Sequence, residues 1–208
     1  FSQSPLTLIA VKPQDARSLL EEIAPFSEGK GFISLMAGKT LAFLQQYLKT
    51  ALLCRYMPNL AAMYGKAAIG VSFPVNLEDV GFKSTCREIA QAVGLPLEIP
   101  ETLMPTITGL SGSGIAFVFH YIHALALGGV KTGLPYPTAL QTVLQVMEGA
   151  IEVLRKTGDP PSTWLTRVTS PAGTTIEGLQ VLEEASVTAA VLGAVEAASR
   201  RAQELEGV

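Results

Sequence analysis

The sequence predicts an α/β part followed by an all-α part: a doubly wound parallel sheet over residues 1–104, then a wholly helical region over residues 105–208. Three observations carry this reading. Short apolar runs alternate with amphipathic stretches as far as Ile99 and do not recur. Every segment after Pro105 has helical spacing. Net charge divides at the same place, +1 over residues 1–100 and −4 over residues 101–208.

Leu6 to Val11 is an apolar run closed by Lys12-Pro13, as expected of a buried strand entering a turn. Gln14 to Ala24 has helical spacing through Ala16, Leu19, Leu20 and Ile23. Phe32 to Met36 is a second strand closed by Ala37-Gly38, and Thr40 caps a helix carrying Leu41, Leu44 and Leu48 on one face. Leu52 to Met57, closed by Pro58-Asn59, is a third strand and Ala67 to Phe73 a fourth. Leu77 to Val93 is a helix, and Leu97 to Ile99 a last short strand. Helices are then expected over Ser111 to Gly128, Pro137 to Thr157, Pro160 to Val168, Thr174 to Glu184 and Val187 to Leu205.

Composition excludes several classes. A net charge of −3 with 16% charged residues leaves no basic footprint, which argues against nucleic acid. Between Glu101 and Lys131 there is no charged residue, but Pro105 and five glycines interrupt the interval, and Ile115 to Leu127 is too short to span a bilayer. A helix this apolar is expected to be covered by other helices, with a second subunit as one source. Cys54 and Cys86 form no CxxC pair, consistent with reduced thiols in a cytoplasmic or matrix-like compartment. His120 and His123 share a helical face without a third ligand, so no metal site is expected.

Two places carry candidate chemistry. In a doubly wound sheet, ligands sit at the carboxyl ends of the strands. Lys12-Pro13, Ala37-Gly38 and Pro58-Asn59 therefore share one rim, although each is also ordinary turn chemistry. The second place is Thr169 to Leu179. Pro171 and Gly173 make a turn, and Thr174 with Glu177 has the spacing of a capping box ahead of an apolar run. A helix N-terminus fed through Gly173 can cradle a carboxylate, and the Thr175 hydroxyl suits a polar nitrogen beside it; the same residues can equally be a cap alone. The phosphate-binding G-x-G-x-x-G pattern is absent, since Gly29-Lys30-Gly31 leads into a strand. A nucleotide fold beginning at Phe1 lacks its first strands.

Several segments together resemble the pyrroline-5-carboxylate reductase family. They are Ala10-Val11-Lys12-Pro13-Gln14, Met36-Ala37-Gly38, Arg55-Tyr56-Met57-Pro58-Asn59, Leu110 to Gly114, Gly128 to Leu134, Thr169 to Leu179 and Ala194 to Ala198. The resemblance implies a partial Rossmann-type nucleotide-binding domain and a helical domain for dimerisation and substrate binding, in a homodimer or larger homo-oligomer. It implies hydride transfer from NADPH or NADH to 1-pyrroline-5-carboxylate, giving L-proline, in the cytoplasm or alternatively the mitochondrion. By position, Ala10, Val11, Lys12, Pro13, Leu35, Met36, Ala37 and Asn59 line the cofactor. Glu101, Gly173, Thr174 and Thr175 meet the substrate, with Thr175 the catalytic contact to the ring nitrogen. Three departures stand out: Leu60-Ala61 where the family usually has Thr-Pro, Ile115 where Pro is usual, and Ala172 in place of the first glycine of Pro-Gly-Gly. A catalytically impaired relative, or a reductase of another imine or ketone, remains an alternative.

Overall fold

Strands that read as continuous apolar runs do so because both of their faces are covered. The computed structural model, which describes residues 4–206, contains one five-stranded sheet in sequence order: β1 (Leu6–Ile9), β2 (Gly31–Ser34), β3 (Leu53–Met57), β4 (Ala67–Ser72) and β5 (Gly94–Glu98). Successive residues of β2 and β3 go to opposite faces. Phe32 and Leu53 join Leu20, Leu41 and Leu44 from α1 (Ala16–Ile23) and α2 (Leu41–Gln45), whereas Ile33 and Cys54 join Cys86 and Ala90 from α3 (Val80–Val93). The sheet is therefore wound on both sides, as expected.

It is not parallel throughout, and here the expectation is corrected. β1, β2 and β3 run parallel, as do β4 and β5, but β3 and β4 are antiparallel, with Arg55 opposite Ser72 and Met57 opposite Gly70. A parallel crossover needs about a dozen residues or more. The connection from Pro58 to Lys66 is shorter and holds only a 3₁₀ segment, Leu60–Tyr64. The carboxyl ends of β1 to β3 consequently share a rim with the amino ends of β4 and β5. Smaller shifts have local causes. Asp79 accepts a hydrogen bond from the Phe82 amide at 2.7 Å, which starts α3 at Val80 rather than Leu77. The last strand begins earlier than expected because Gly94 leads straight out of α3 and lies against the backbone of Ala67.

The glycines and serines expected to interrupt the uncharged interval do not interrupt it. A 3₁₀ turn over Glu101–Leu103, α4 (Met104–Ile107), a π turn over Thr108–Ser113 and α5 (Gly114–Lys131) make one helical run of 31 residues from Glu101 to Lys131. The π turn absorbs the small residues by widening the helix instead of ending it. By length and composition alone this run could cross a membrane. α6 (Tyr136–Thr157), α7 (Pro161–Val168), α8 (Thr174–Glu184) and α9 (Val187–Glu206) follow.

The chain forms two compact units. One holds the residues up to Ile115 together with those from Ala194 onward, so the second half of α9 belongs with the sheet. The other is Ala116–Gly193, whose core is a small cluster of Ala126, Ala139 and Val143. Within the first unit, α9 approaches the π turn at Gly109, where a Cβ would meet the Ser199 hydroxyl and lie 2.8 Å from the Ser199 nitrogen and 2.9 Å from the Val195 carbonyl. Backbone atoms cannot yield as a side chain can. Gly109→Ala is therefore expected to lower stability by about 1–3 kcal/mol, seen as a fall in thermal midpoint; an unchanged midpoint would show that α9 does not pack here.

Candidate active site

The first candidate region is the rim at the ends of β1 to β3. After β1, Ala10, Val11 and Lys12 are exposed, and Lys12 is extended ahead of Pro13. After β2, the Leu35 amide donates to the Ile9 carbonyl at 2.9 Å, joining the two turns. Leu35 is half-buried, Met36 is buried and Ala37 is exposed. Gly38 then turns the chain with φ +73°, and a Cβ on it would sit 2.7 Å from the Leu205 carbonyl oxygen. Both the backbone conformation and the close approach require glycine. Thr40 caps α2 as expected, its hydroxyl accepting from the Phe43 amide at 3.1 Å.

Asn59, in the third rim turn, commits its side chain to contacts within the protein. Its Nδ2 donates to the Ser111 hydroxyl at 3.1 Å, and its Oδ1 accepts from the Ala61 amide at 3.1 Å. Ser111 in turn donates to the Ala68 carbonyl at 2.9 Å. Two separate sequence segments, Arg55 to Asn59 and Leu110 to Gly114, are thereby one hydrogen-bonded cluster that fixes the π turn against β4.

Glu101 is similarly committed. Its Oε1 accepts from the Leu41 amide at 2.7 Å and pairs with Arg55 Nη1 at 3.1 Å. Arg55, in the middle of β3 and 1% exposed, also pairs with Glu206 at 2.6 Å through Nη2. From the sequence Arg55 has no role of its own, and Glu206 reads as part of a solvated acidic face of the last helix, which its pairing with a buried cation corrects. The available signal was a cation inside the otherwise apolar run Leu52 to Met57; nothing in spacing points to Glu206.

Gly173, Thr174 and Thr175 belong to the other compact unit. α8 begins at Thr174, as expected, but the capping box does not form. Gly173 occupies the cap position in extended conformation, with φ −85° and ψ 173°, and no side chain caps the helix. Thr174 is already helical, which removes it from the geometry a capping hydroxyl needs. The first-turn N–H groups thus stay available to a ligand. Ahead of them the Gly173 amide donates to the Ser170 carbonyl at 3.1 Å, closing a tight turn in which a Cβ on Gly173 would strike the Ser170 hydroxyl. Ala172 sits in that turn with φ +56°, the left-handed conformation for which glycine is usual.

α7 leads into this loop and is braced by contacts not foreseen in the sequence. Trp164 Nε1 donates to the Thr157 hydroxyl at 3.1 Å, while Arg167 stacks over the Trp164 ring at 4.7 Å and pairs with Asp159 at 3.3 Å. Among the described residues, no three His, Cys, Asp or Glu side chains cluster to hold a metal. His123 instead lies with Nδ1 3.1 Å from the Tyr136 hydroxyl.

Residues 101–205 match the family model for pyrroline-5-carboxylate reductase dimerisation. The chain is 40% identical to the pyrroline-5-carboxylate reductase of Methanosarcina acetivorans over 98% of its own length and 76% of that protein. It is 39% identical to the Synechocystis enzyme of the same name, over 97% and 75%. The chain belongs to the pyrroline-5-carboxylate reductase family. A solved Plasmodium falciparum pyrroline carboxylate reductase with NADP bound superimposes with a TM-score of 0.91 at 30% identity, covering 99% of this chain and 78% of that one. The family's dimerisation region thus takes in the whole uncharged helical run.

A reductase of this family uses a dinucleotide. Ala10 to Lys12 and Ala37 are exposed just beyond the carboxyl ends of adjacent parallel strands, the place where doubly wound sheets take their ligands.

Ala172 gives a direct test of the loop. A left-handed L-residue costs about 1–2 kcal/mol, partly offset by the extra unfolded-state freedom of glycine, so Ala172→Gly should stabilise by about 0.5–1 kcal/mol. For a chain of this size that raises the thermal midpoint by roughly 1–4 °C. A lower midpoint would mean that the positive φ is not retained in solution.

Proposed function

We propose that the chain reduces 1-pyrroline-5-carboxylate to L-proline with NADPH or NADH, the last step of proline biosynthesis. The observation that carries this reading is the uncapped N-terminus of α8. Its amides follow the tight Ser170–Gly173 turn, in the segment most specific to the family, and no side chain competes for them.

In this reading Ala10, Val11, Lys12, Pro13, Leu35, Met36, Ala37 and Asn59 hold the nicotinamide end, Asn59 through the turn it fixes. Residues 1–104 are the nucleotide-binding part, and 105–208 the dimerisation and substrate part. The bound dinucleotide supplies the hydride. The substrate carboxylate lies against the first-turn amides of α8, just past Gly173, where the helix dipole favours an anion. The Thr175 hydroxyl hydrogen-bonds the ring nitrogen. An imine that arrives protonated keeps its proton on that nitrogen when the hydride adds to the imine carbon, so the protein need supply no strong acid. Its contribution is placement of the acceptor carbon. Glu101, a substrate contact by the resemblance, already gives one of its oxygens to Leu41 and Arg55.

The chain works as a homodimer or larger homo-oligomer in the cytoplasm, independent of membrane and nucleic acid. The family's dimerisation region supports the assembly, and the free buried thiols of Cys54 and Cys86 agree with a reducing compartment. Sedimentation should show no stable monomer at micromolar concentration; a monomer would overturn the assembly.

Reductase kinetics of the full-length protein test the chemistry. Thr175→Ala should lower turnover by about tenfold to several hundredfold, the effect of losing one polar contact worth about 1.5–4 kcal/mol at a reacting centre. Its thermal midpoint should hardly move. Thr174, exposed and not a cap, should tolerate alanine within about 0.5 kcal/mol in stability. Wild-type turnover in Thr175→Ala would remove that residue from the mechanism.

A further inference from the structure

Three contacts of different kinds link the turn after β2 to Arg55 or its immediate neighbours. Leu41, the first residue of α2, stands three residues beyond Gly38, and its amide is held by Glu101 Oε1, which Arg55 Nη1 holds in turn. Leu205 places its carbonyl oxygen against Gly38, and the next residue, Glu206, is paired with Arg55 Nη2. The Met36 amide donates to the Ser34 hydroxyl at 3.3 Å, and Ser34 is the cross-strand partner of Arg55. A cavity of about 170 Å³ lies beside these contacts, lined among others by Ala37, Gly38, Arg55, Thr108 and Ser113.

As a device for stability alone this cluster is poor. Two carboxylates face one guanidinium, and Arg55 Nε is buried with no hydrogen-bond partner among the described residues. Burying ions costs desolvation that apolar packing of similar volume avoids. What a planar fork does supply is direction, because two N–H groups diverging from one plane fix two acceptors at a set angle.

We propose that Arg55 is a positioning residue for the cofactor rim: through Glu101 and Glu206 it sets the path of the Met36–Gly38 turn, and with it the affinity for the nicotinamide end of the dinucleotide. The inference rests on the reductase reading above and adds to it a residue that touches neither substrate nor cofactor. Arg55 acts from behind the turn, gripping the start of α2 on one side and the end of α9 on the other.

The test uses the full-length protein with Glu206→Gln, which keeps the shape and an acceptor but removes the charge, and Arg55→Lys, which keeps the charge but loses the fork. Three readouts are needed: NADPH affinity by fluorescence titration, amide hydrogen exchange, and kinetics. In both variants NADPH Kd and its KM should rise about tenfold, while in Glu206→Gln, which leaves the Arg55–Glu101 pair in place, KM for 1-pyrroline-5-carboxylate stays within twofold. Exchange should quicken about tenfold at residues 36–41 and 201–206 and stay unchanged in β2 and β3. Uniformly faster exchange across the sheet with unchanged NADPH Kd would make Arg55 a fold-stabilising residue only and overturn the inference. Should Arg55→Lys fail to fold, Glu206→Gln decides by the same two readouts. A wild-type protein that binds NADPH but does not turn over the imine would sink the reductase reading alone, and the variants' Kd would still judge the positioning role.

Discussion

A guanidinium buried at the middle of β3 has to be answered by carboxylates, and in this chain both answers come from far along the sequence. Glu101 stands at the start of the helical run and Glu206 at the end of α9, so the first and last points of the helical region meet on one strand of the sheet. Removing either carboxylate changes more than one ion pair, since Glu101 also holds the first amide of α2. The contact explains why the second half of α9 belongs to the sheet-bearing unit, although the whole Ala116–Gly193 unit separates it in sequence from the rest of that unit. Close backbone approaches at Gly38 and Gly109 complete the docking, because only glycine leaves α9 room at those two points.

A second constraint is connection length. The link between β3 and β4 cannot carry a crossover helix, so β4 turns back antiparallel, and the chain resumes parallel pairing only after α3. The reversal leaves β1, β2 and β3 as a parallel trio whose carboxyl ends stand together. It also brings Ala68 of β4 beneath the π turn, where Ser111 and Asn59 tie the rim to the first helices of the second region. The same short loop therefore sets both the sheet's mixed topology and the anchoring of the helical run.

Much of this was legible in the sequence, and what was not has physical reasons. Buried strands announce themselves by unbroken apolar runs, and Thr40 and Thr174 marked helix starts correctly. Threonine at a helix start is ambiguous, however: at position 40 it caps, whereas at 174 the preceding glycine takes that place. Strand direction is set by connection length, a signal present between Met57 and Ala67 but outweighed by the alternating pattern. Small residues at 108–114 read as a break, yet a π turn accepts them without ending the helix. The ion cluster on Arg55 was beyond reach from sequence alone, since its partners lie 46 residues away at Glu101 and still farther at Glu206. At the candidate site, the loop's position and its open amides were legible; the committed side chains of Asn59 and Glu101 were not, because a resemblance locates a residue without saying which of its atoms are already engaged.

The Ala116–Gly193 unit shows why the helical region cannot be understood as an isolated piece. Its buried cluster consists of two alanines and a valine, while Val118, Phe119, Leu127, Val146, Val181 and Leu192 remain exposed. Apolar area buried on folding is what offsets chain entropy, and a core of that size offsets little. The helices are nevertheless long, and long helices in water draw most of their stability from packing an apolar face rather than from intrinsic propensity. The missing contribution must come from covering those side chains, and the family to which the chain belongs assigns this stretch to dimerisation. Folding of the unit is then expected to depend on its association. A substitution on the exposed apolar face would act on stability through protomer concentration, not through any contact within the single chain.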